Sequence, residues 1–81
     1  MKKVFIETEF IKLDQLLKFA EVVDSGGTAK SLILDGFVSM NGSVCTQRGK
    51  KVFHDDFIDV VIPGVEGSEN ESIRIKVIKR V

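Results

Sequence analysis

Apolar residues recur along the chain at two different spacings, and the change of spacing locates a helix near the amino terminus. From Leu13 onward they stand three and four residues apart, so they fall on one face of a helix that is expected to run to about Val22. Asp14, in the first turn, suits the positive end of the helix dipole. The residues expected to face inward are Leu13, Leu16, Leu17 and Ala20.

A second, shorter helix is predicted at residues 27–35. It follows a break that contains two glycines, where Asp24 or Ser25 can accept a hydrogen bond from a free backbone N–H group. Gly36 stands where a left-handed carboxyl-terminal cap is wanted. Because the helix is short, packing must stabilise it, and its inward residues are expected to be Ala29, Leu32 and Ile33.

Alternating and β-branched segments predict the strands. A first strand is expected at residues 4–8, and a strand at 37–40 is joined to a return strand from Ser43 by Asn41-Gly42. That dipeptide favours a two-residue turn of type I′, which needs positive φ at both positions. The polar segment 47–50 predicts a bend that turns basic side chains outward. Further strands are expected at 51–53, at 57–62 and from Ile73, the last pairing with 4–8 or with 57–62.

These elements predict an α+β fold, in which two short helices pack against a small, mainly antiparallel sheet with strands at both termini. A chain of 81 residues is expected to form one domain, because two cores would each be too small to offset the entropy of ordering the chain. Within it we expect a helix-helix-hairpin core at about 11–62, a mobile acidic loop at about 63–72 and a final strand at 73–81.

Charged residues are unevenly distributed, although the formal net charge is zero. Residues 12–51 include six basic and four acidic side chains, and residues 52–72 include six acidic side chains and no Lys or Arg. Residues 73–81 add four basic side chains. Because binding depends on the local face more than on the sum, a zero net charge is compatible with a nucleic-acid partner.

Other classes of function find little support in the residue content. One cysteine, Cys45, and one histidine, His54, predict neither a metal site nor a catalytic set, and neither a cofactor-binding loop nor a nucleotide-binding loop is present. We therefore expect no enzyme activity, no cofactor and no metal. The six phenylalanines are scattered, which argues against a platform for base stacking. No apolar run would span a membrane and no secretory signal is evident, so a cytoplasmic location is expected.

A basic set supplies the candidate binding residues. If these side chains shared one face, they could follow a phosphate backbone, although ordinary solvated lysines would give the same count. Ser25, Gly26 and Gly27 at a helix start leave backbone N–H groups that suit an anion, but a simple capping turn is the commoner role of such glycines. The basic residues are Lys12, Lys18, Lys30, Arg48, Lys50 and Lys51.

The order of these motifs resembles the ribosomal protein S-four type RNA-binding domain. The resemblance covers residues 10–60, and its most specific parts are Ser25-Gly26-Gly27-Thr28-Ala29-Lys30 and the spacing from Asn41-Gly42 to Arg48-Gly49-Lys50-Lys51. These look more specifically like the small stand-alone bacterial YaaA/YbcJ-like subgroup. The sequence departs from the family at Gly26, where many members have Arg, and at His54-Asp55-Asp56, which lacks the usual glycine before the aspartate.

The resemblance implies non-catalytic docking on structured RNA, often ribosomal or transfer RNA, with the helix pair facing the RNA. A protein-interaction adaptor that associates with ribosomes through its acidic loop, or an accessory subunit of an RNA-modifying enzyme, stays open as an alternative. No membrane and no small-molecule substrate are expected. The predicted RNA-binding residues are Lys12, Ser25, Gly26, Gly27, Lys30, Arg48, Lys50 and Lys51.

Overall fold

A computed structural model describes residues 1–64, 67 and 69–80 of the chain. The two helices are α1, Leu13–Phe19, and α2, Gly26–Leu34. The strands, in chain order, are β1 (Lys2–Ile6), β2 (Phe10–Lys12), β3 (Val38–Met40), β4 (Ser43–Val44), β5 (Lys51–Phe53), β6 (Phe57–Ile62) and β7 (Glu71–Lys79).

The strands form two sheets. A five-stranded sheet has the order β1-β7-β6-β3-β4, and its neighbours are antiparallel except for the parallel pair β1 and β7. Strands β2 and β5 form a separate antiparallel ribbon. The carboxyl-terminal strand β7 pairs with both candidates that the sequence left open, since β1 lies on one side of it and β6 on the other. This arrangement confirms the predicted α+β class and the mainly antiparallel sheet.

The core lies between the helix pair, the inner face of the large sheet and the inner face of the ribbon. All four predicted inward residues of α1 are buried, as are Ala29 and Ile33 of α2, whereas Leu32 is half-buried. The strands add eight further buried residues to this core, and within a strand these stand at alternate positions, as at Ile58 and Val60 or Ile75 and Val77. Within the described residues, no helix is long and apolar enough to cross a membrane.

Three elements have boundaries that differ from the prediction by two residues or more. Strand β1 lies two residues earlier than expected, and α1 stops at Phe19 rather than near Val22, because Glu21 takes a left-handed conformation with φ of 60°. Strand β7 begins at Glu71, inside the predicted acidic loop. The rest of that predicted mobile loop includes residues 65, 66 and 68, which lie outside the described residues, as does residue 81.

The predicted return strand is divided between the two sheets. Its first part, β4, stays with β3, and Cys45 still donates its backbone N–H to the Val38 carbonyl at 2.9 Å. The chain then leaves the large sheet, crosses residues 46–50 and enters the ribbon as β5. The polar segment 47–50 therefore connects two sheets, which is a larger change of direction than the predicted bend.

The turn between β3 and β4 has the expected left-handed conformation, with φ of 50° at Asn41 and 90° at Gly42. The Asn41 side chain also joins this turn to the turn between β5 and β6. Its Nδ2 donates to Asp56 Oδ1 at 3.0 Å, and its Oδ1 accepts from the Phe57 N–H at 3.0 Å. Asp56 Oδ2 accepts in turn from the Phe53 N–H at 2.8 Å. One asparagine thus connects the hairpin to the end of the ribbon.

Asn41→Ala should lower the free energy of unfolding by about 2 kcal/mol, since alanine adopts the left-handed conformation less readily than asparagine and the change removes two side-chain hydrogen bonds. Asn41→Gly keeps the turn geometry and should cost less. Urea unfolding followed by circular dichroism measures both, with the exposed Ser43→Ala as the control. Equal losses for Asn41→Gly and Asn41→Ala would assign the whole effect to the hydrogen bonds.

Candidate nucleic-acid interface

The amino terminus of α1 is capped by main-chain carbonyls of the 45–50 segment. The cap residue, Lys12, forms no side-chain hydrogen bond to the helix. Instead, the Leu13 N–H donates to the Lys50 carbonyl at 2.9 Å and the Asp14 N–H donates to the Arg48 carbonyl at 3.0 Å. Two orphan donors of the first helical turn are therefore satisfied by main-chain carbonyls, and the Gln15 N–H donates to Asp14 Oδ1 at 2.8 Å. The Arg48 and Lys50 side chains stay exposed beside the helix end.

The ribbon brings two more cations to the same place. Lys12 and Lys51 are direct partners across β2 and β5, and the next pair along, Leu13 and Lys50, is hydrogen bonded. In an antiparallel ladder, hydrogen-bonded and non-hydrogen-bonded pairs alternate. Lys12 and Lys51 are therefore a non-hydrogen-bonded pair, the kind whose Cα atoms are closer, about 4.5 Å apart. We call Lys12, Arg48, Lys50 and Lys51 the basic cluster.

Among the described residues, acidic side chains pair with the three cations of β7 and with none of the basic cluster. Arg74 Nε lies 2.7 Å from Asp59 Oδ1, Lys76 Nζ lies 3.7 Å from Asp55 Oδ1, and Lys79 pairs with Glu9. The hydrogen bond and the charge of Asp59 hold the pKa of Arg74 above its ordinary value. Within the described part of the chain, no salt bridge involves a member of the basic cluster.

The surroundings of the basic cluster favour an added anion. A helix amino terminus carries a partial positive charge, and like charges directly opposite one another in a ladder repel. Asp14, half-buried in the first turn, is the acid that the helix itself contributes here. A phosphate beside these cations would gain attraction from each of them and from the helix dipole.

The predicted glycine turn lies at the other end of α1. Ser25 caps α2, with its Oγ accepting from the Thr28 N–H at 3.3 Å. The side chain of Lys18, in the last turn of α1, lies beside Gly26, since a Cβ placed on that glycine would be 3.8 Å from Lys18 Cδ. The Gly26 and Gly27 N–H groups have no protein acceptor among the described residues, and Lys18 adds a cation next to them.

The predicted contacts therefore form two groups rather than one. The basic cluster lies at the amino terminus of α1 and the glycine turn lies near its carboxyl terminus, and a helix of seven residues is about 10 Å long. Lys30 is exposed in the second turn of α2, the helix that packs on α1, and no described contact joins it to either group. All three lie on or beside the helix pair.

An aromatic pair beside the basic cluster was missed from sequence. Phe10 and Phe53 are partners across the ribbon, with ring centroids 5.9 Å apart and an angle of 50° between the planes. Lys51 Nζ lies 4.7 Å from the centre of the Phe10 ring, a cation–π contact. The two rings are far apart in the chain, and only the pairing of two three-residue strands brings them together.

The single histidine and cysteine have structural contacts. His54 Nδ1 accepts from the Lys79 N–H at 2.9 Å, and its Nε2 lies 3.4 Å from Asp55 Oδ2. Cys45 is half-buried just after β4, with its Sγ 3.8 Å from the Gln47 carbonyl. Within residues 1–64, 67 and 69–80, no group of three or more His, Cys, Asp or Glu residues is placed to hold a metal ion.

Comparison with known proteins identifies the family. A family model described as an S4 domain matches residues 4–66, which is most of the chain. The chain belongs to the S4 domain family. It is also 37% identical, over 57 residues, to the probable ribosome maturation protein RlbA of Bacillus subtilis (strain 168), covering 70% of this chain and 80% of that protein. The resemblance seen in the sequence motifs is thus confirmed.

The departure from the family at residues 54–56 leaves the turn intact. Asp55 takes the left-handed conformation, with φ of 70°, that a glycine would adopt most easily. The turn is held by main-chain hydrogen bonds to β7, from the Asp55 N–H to the Val77 carbonyl at 2.9 Å and from the Val77 N–H to the Asp56 carbonyl at 3.1 Å. Aspartate tolerates this conformation better than most residues, so the turn forms here without a glycine.

Lys50→Glu should raise the free energy of unfolding by about 0.3 to 1 kcal/mol, because it replaces a cation at the positive end of α1 with an anion. The gain should shrink as salt screens the charges. Urea unfolding at low and physiological salt measures it. Lys30→Glu, which changes the charge equally in the second turn of α2, is the control and should bring no such gain; an equal gain there would contradict a local effect at α1.

Proposed function

We propose that this protein is a non-catalytic RNA-binding protein that docks on structured RNA through the basic cluster and the helix pair. The observation that carries the proposal is the contrast between cations. Those of β7 are paired with acids, whereas Lys12, Arg48, Lys50 and Lys51 converge on a helix amino terminus without an acidic partner among the described residues. The phosphates of a nucleic-acid backbone could contact several of these cations at once, whereas a single small anion could not.

The arrangement suits recognition of shape more than of sequence. The basic cluster and the glycine turn lie near opposite ends of α1, and a folded RNA can present backbone phosphates to both. At the glycine turn, the N–H groups of Gly26 and Gly27 would act with Lys18, and Lys30 would add a separate contact on α2. Double-stranded RNA is recognised mostly through phosphates and 2′-hydroxyls, so little readout of base sequence is expected.

Ribosomal RNA is the first candidate for the target. The Bacillus relative is described as a probable ribosome maturation protein, and the alignment with it covers 70% of this chain. We propose that this protein likewise acts on ribosomes or their precursors, with transfer RNA as the other structured RNA to be tested. Sequencing the RNA that co-purifies with the tagged protein would separate the two targets.

The adaptor alternative loses part of its support in the structure. It rests on the acidic stretch 52–72, but Asp59 is bonded by Arg74, Asp55 lies near Lys76, and Asp56 accepts hydrogen bonds at two turns. Three of the six acids thus have partners within the chain. An adaptor would have to use the remaining acids, one of which lies outside the described residues. An accessory subunit of an RNA-modifying enzyme would use the same RNA surface and would differ in having a co-purifying enzyme.

Reversing Arg48, Lys50 and Lys51 to Glu together should weaken binding to a folded ribosomal RNA fragment and flatten its salt dependence. Four or five phosphate contacts give a slope of log affinity against log salt of about −3 to −4, and losing three of them should leave about −1. Fluorescence titrations at several salt concentrations measure both quantities.

The control reverses three cations along the β1 edge, Lys2, Lys3 and Arg80, which changes the net charge by the same amount. Circular dichroism checks that both variants fold. If the two triple variants lose affinity equally, binding follows net charge and the basic cluster has no special role. Unchanged affinity in the cluster variant would contradict the proposal itself.

A further inference from the structure

The outer face of the ribbon carries two rings and two cations side by side. Residues of β2 and β5 alternate between faces, and Val52 and its partner Ile11 turn toward the core. The opposite face therefore presents Phe10, Lys12, Lys51 and Phe53 to the outside.

The two rings differ in how much of each is available. Phe10 is half-buried, with the Lys51 ammonium over its face. Phe53 is 46% exposed, although large apolar side chains normally gain by burial. The ribbon needs some cross-strand support because its strands have only three residues each, and the tilted contact between the rings supplies it. That cross-strand contact does not require the Phe53 ring to be so exposed to solvent.

A shallow depression of about 430 Å³ lies beside this ring. Phe53 and Met40 give it apolar walls, Lys50 and Lys51 give it positive charge, and Gln47 can both donate and accept hydrogen bonds. Proteins hold an unpaired nucleotide with three kinds of group: an aromatic ring that stacks on the base, a cationic side chain that attracts the phosphate, and an amide that hydrogen-bonds the base edge.

We infer that the exposed ring of Phe53 stacks on an unpaired nucleotide of the bound RNA, whose phosphates are held by the adjacent lysines of the basic cluster. The inference rests on the proposed RNA binding and narrows it: the preferred target has a bulged or looped-out nucleotide next to a helical stem. The stem phosphates contact the basic cluster, and the nucleotide occupies the depression. The charge of the lysines around the ring favours a nucleotide over an apolar segment of a protein partner.

The experiment compares two RNAs that differ by one nucleotide, a fully paired hairpin stem and the same stem with a single bulged adenine. The wild-type protein should bind the bulged stem about tenfold more tightly. Phe53→Leu keeps an apolar side chain but has no aromatic face, so it should lose this advantage while binding the paired stem as before. Phe53→Trp should keep the advantage, and thermal unfolding checks that each variant is folded.

Each outcome decides between the inference and the proposed function. A wild-type protein that binds both stems equally, or a Phe53→Leu variant that keeps the preference, overturns the stacking site and leaves RNA binding intact. A loss that is equal on the two stems overturns it too, because Phe53 would then support the ribbon or some other contact. A wild-type protein that binds neither stem overturns both proposals.

Discussion

Two hydrogen bonds from α1 to the 45–50 segment place Arg48 and Lys50 beside the start of the helix. The Leu13 and Asp14 N–H groups reach the Lys50 and Arg48 carbonyls, which continues the ladder of the ribbon into the first turn of the helix. A helix of seven residues has little stability of its own, so it needs this connection as well as its buried face. Because the connection uses main-chain atoms, the fold positions the Arg48 and Lys50 side chains although these side chains take no part in the connection.

The other end of the ribbon is held by side chains. Asp56 accepts from the Phe53 N–H and from Asn41, and Asn41 accepts from the Phe57 N–H, so two turns from different sheets are joined. The ribbon is thus anchored to α1 at Lys50 and to the large sheet at Phe53. Three-residue strands would otherwise be marginal in water. The anchoring explains how a short exposed ribbon can hold two rings and two lysines in a defined arrangement.

The local features of the fold were predictable because each depends on neighbouring residues. The inward face of α1, the Ser25 cap, the left-handed Gly36 and the Asn41-Gly42 turn all follow from spacing or from backbone preferences. The division of the return strand was not predictable, because β4 and β5 are too short to show a period. Pairing Phe10 with Phe53 requires the tertiary fold, so the ring pair and the cap that the segment 45–50 provides were hidden as well.

Although the net charge of the chain is zero, charges are paired in one region of the described structure and unpaired in another. Around β7, acids and bases neutralise one another in pairs such as Arg74 with Asp59. At the amino terminus of α1, the described structure holds four cations that stability alone would not place at the positive end of a helix and across a ladder from one another. Natural sequences break local rules of this kind mostly at functional sites. Several acids that balance the sum are engaged elsewhere, as Asp59 is with Arg74, so the sum does not show the local excess of cations at this helix end.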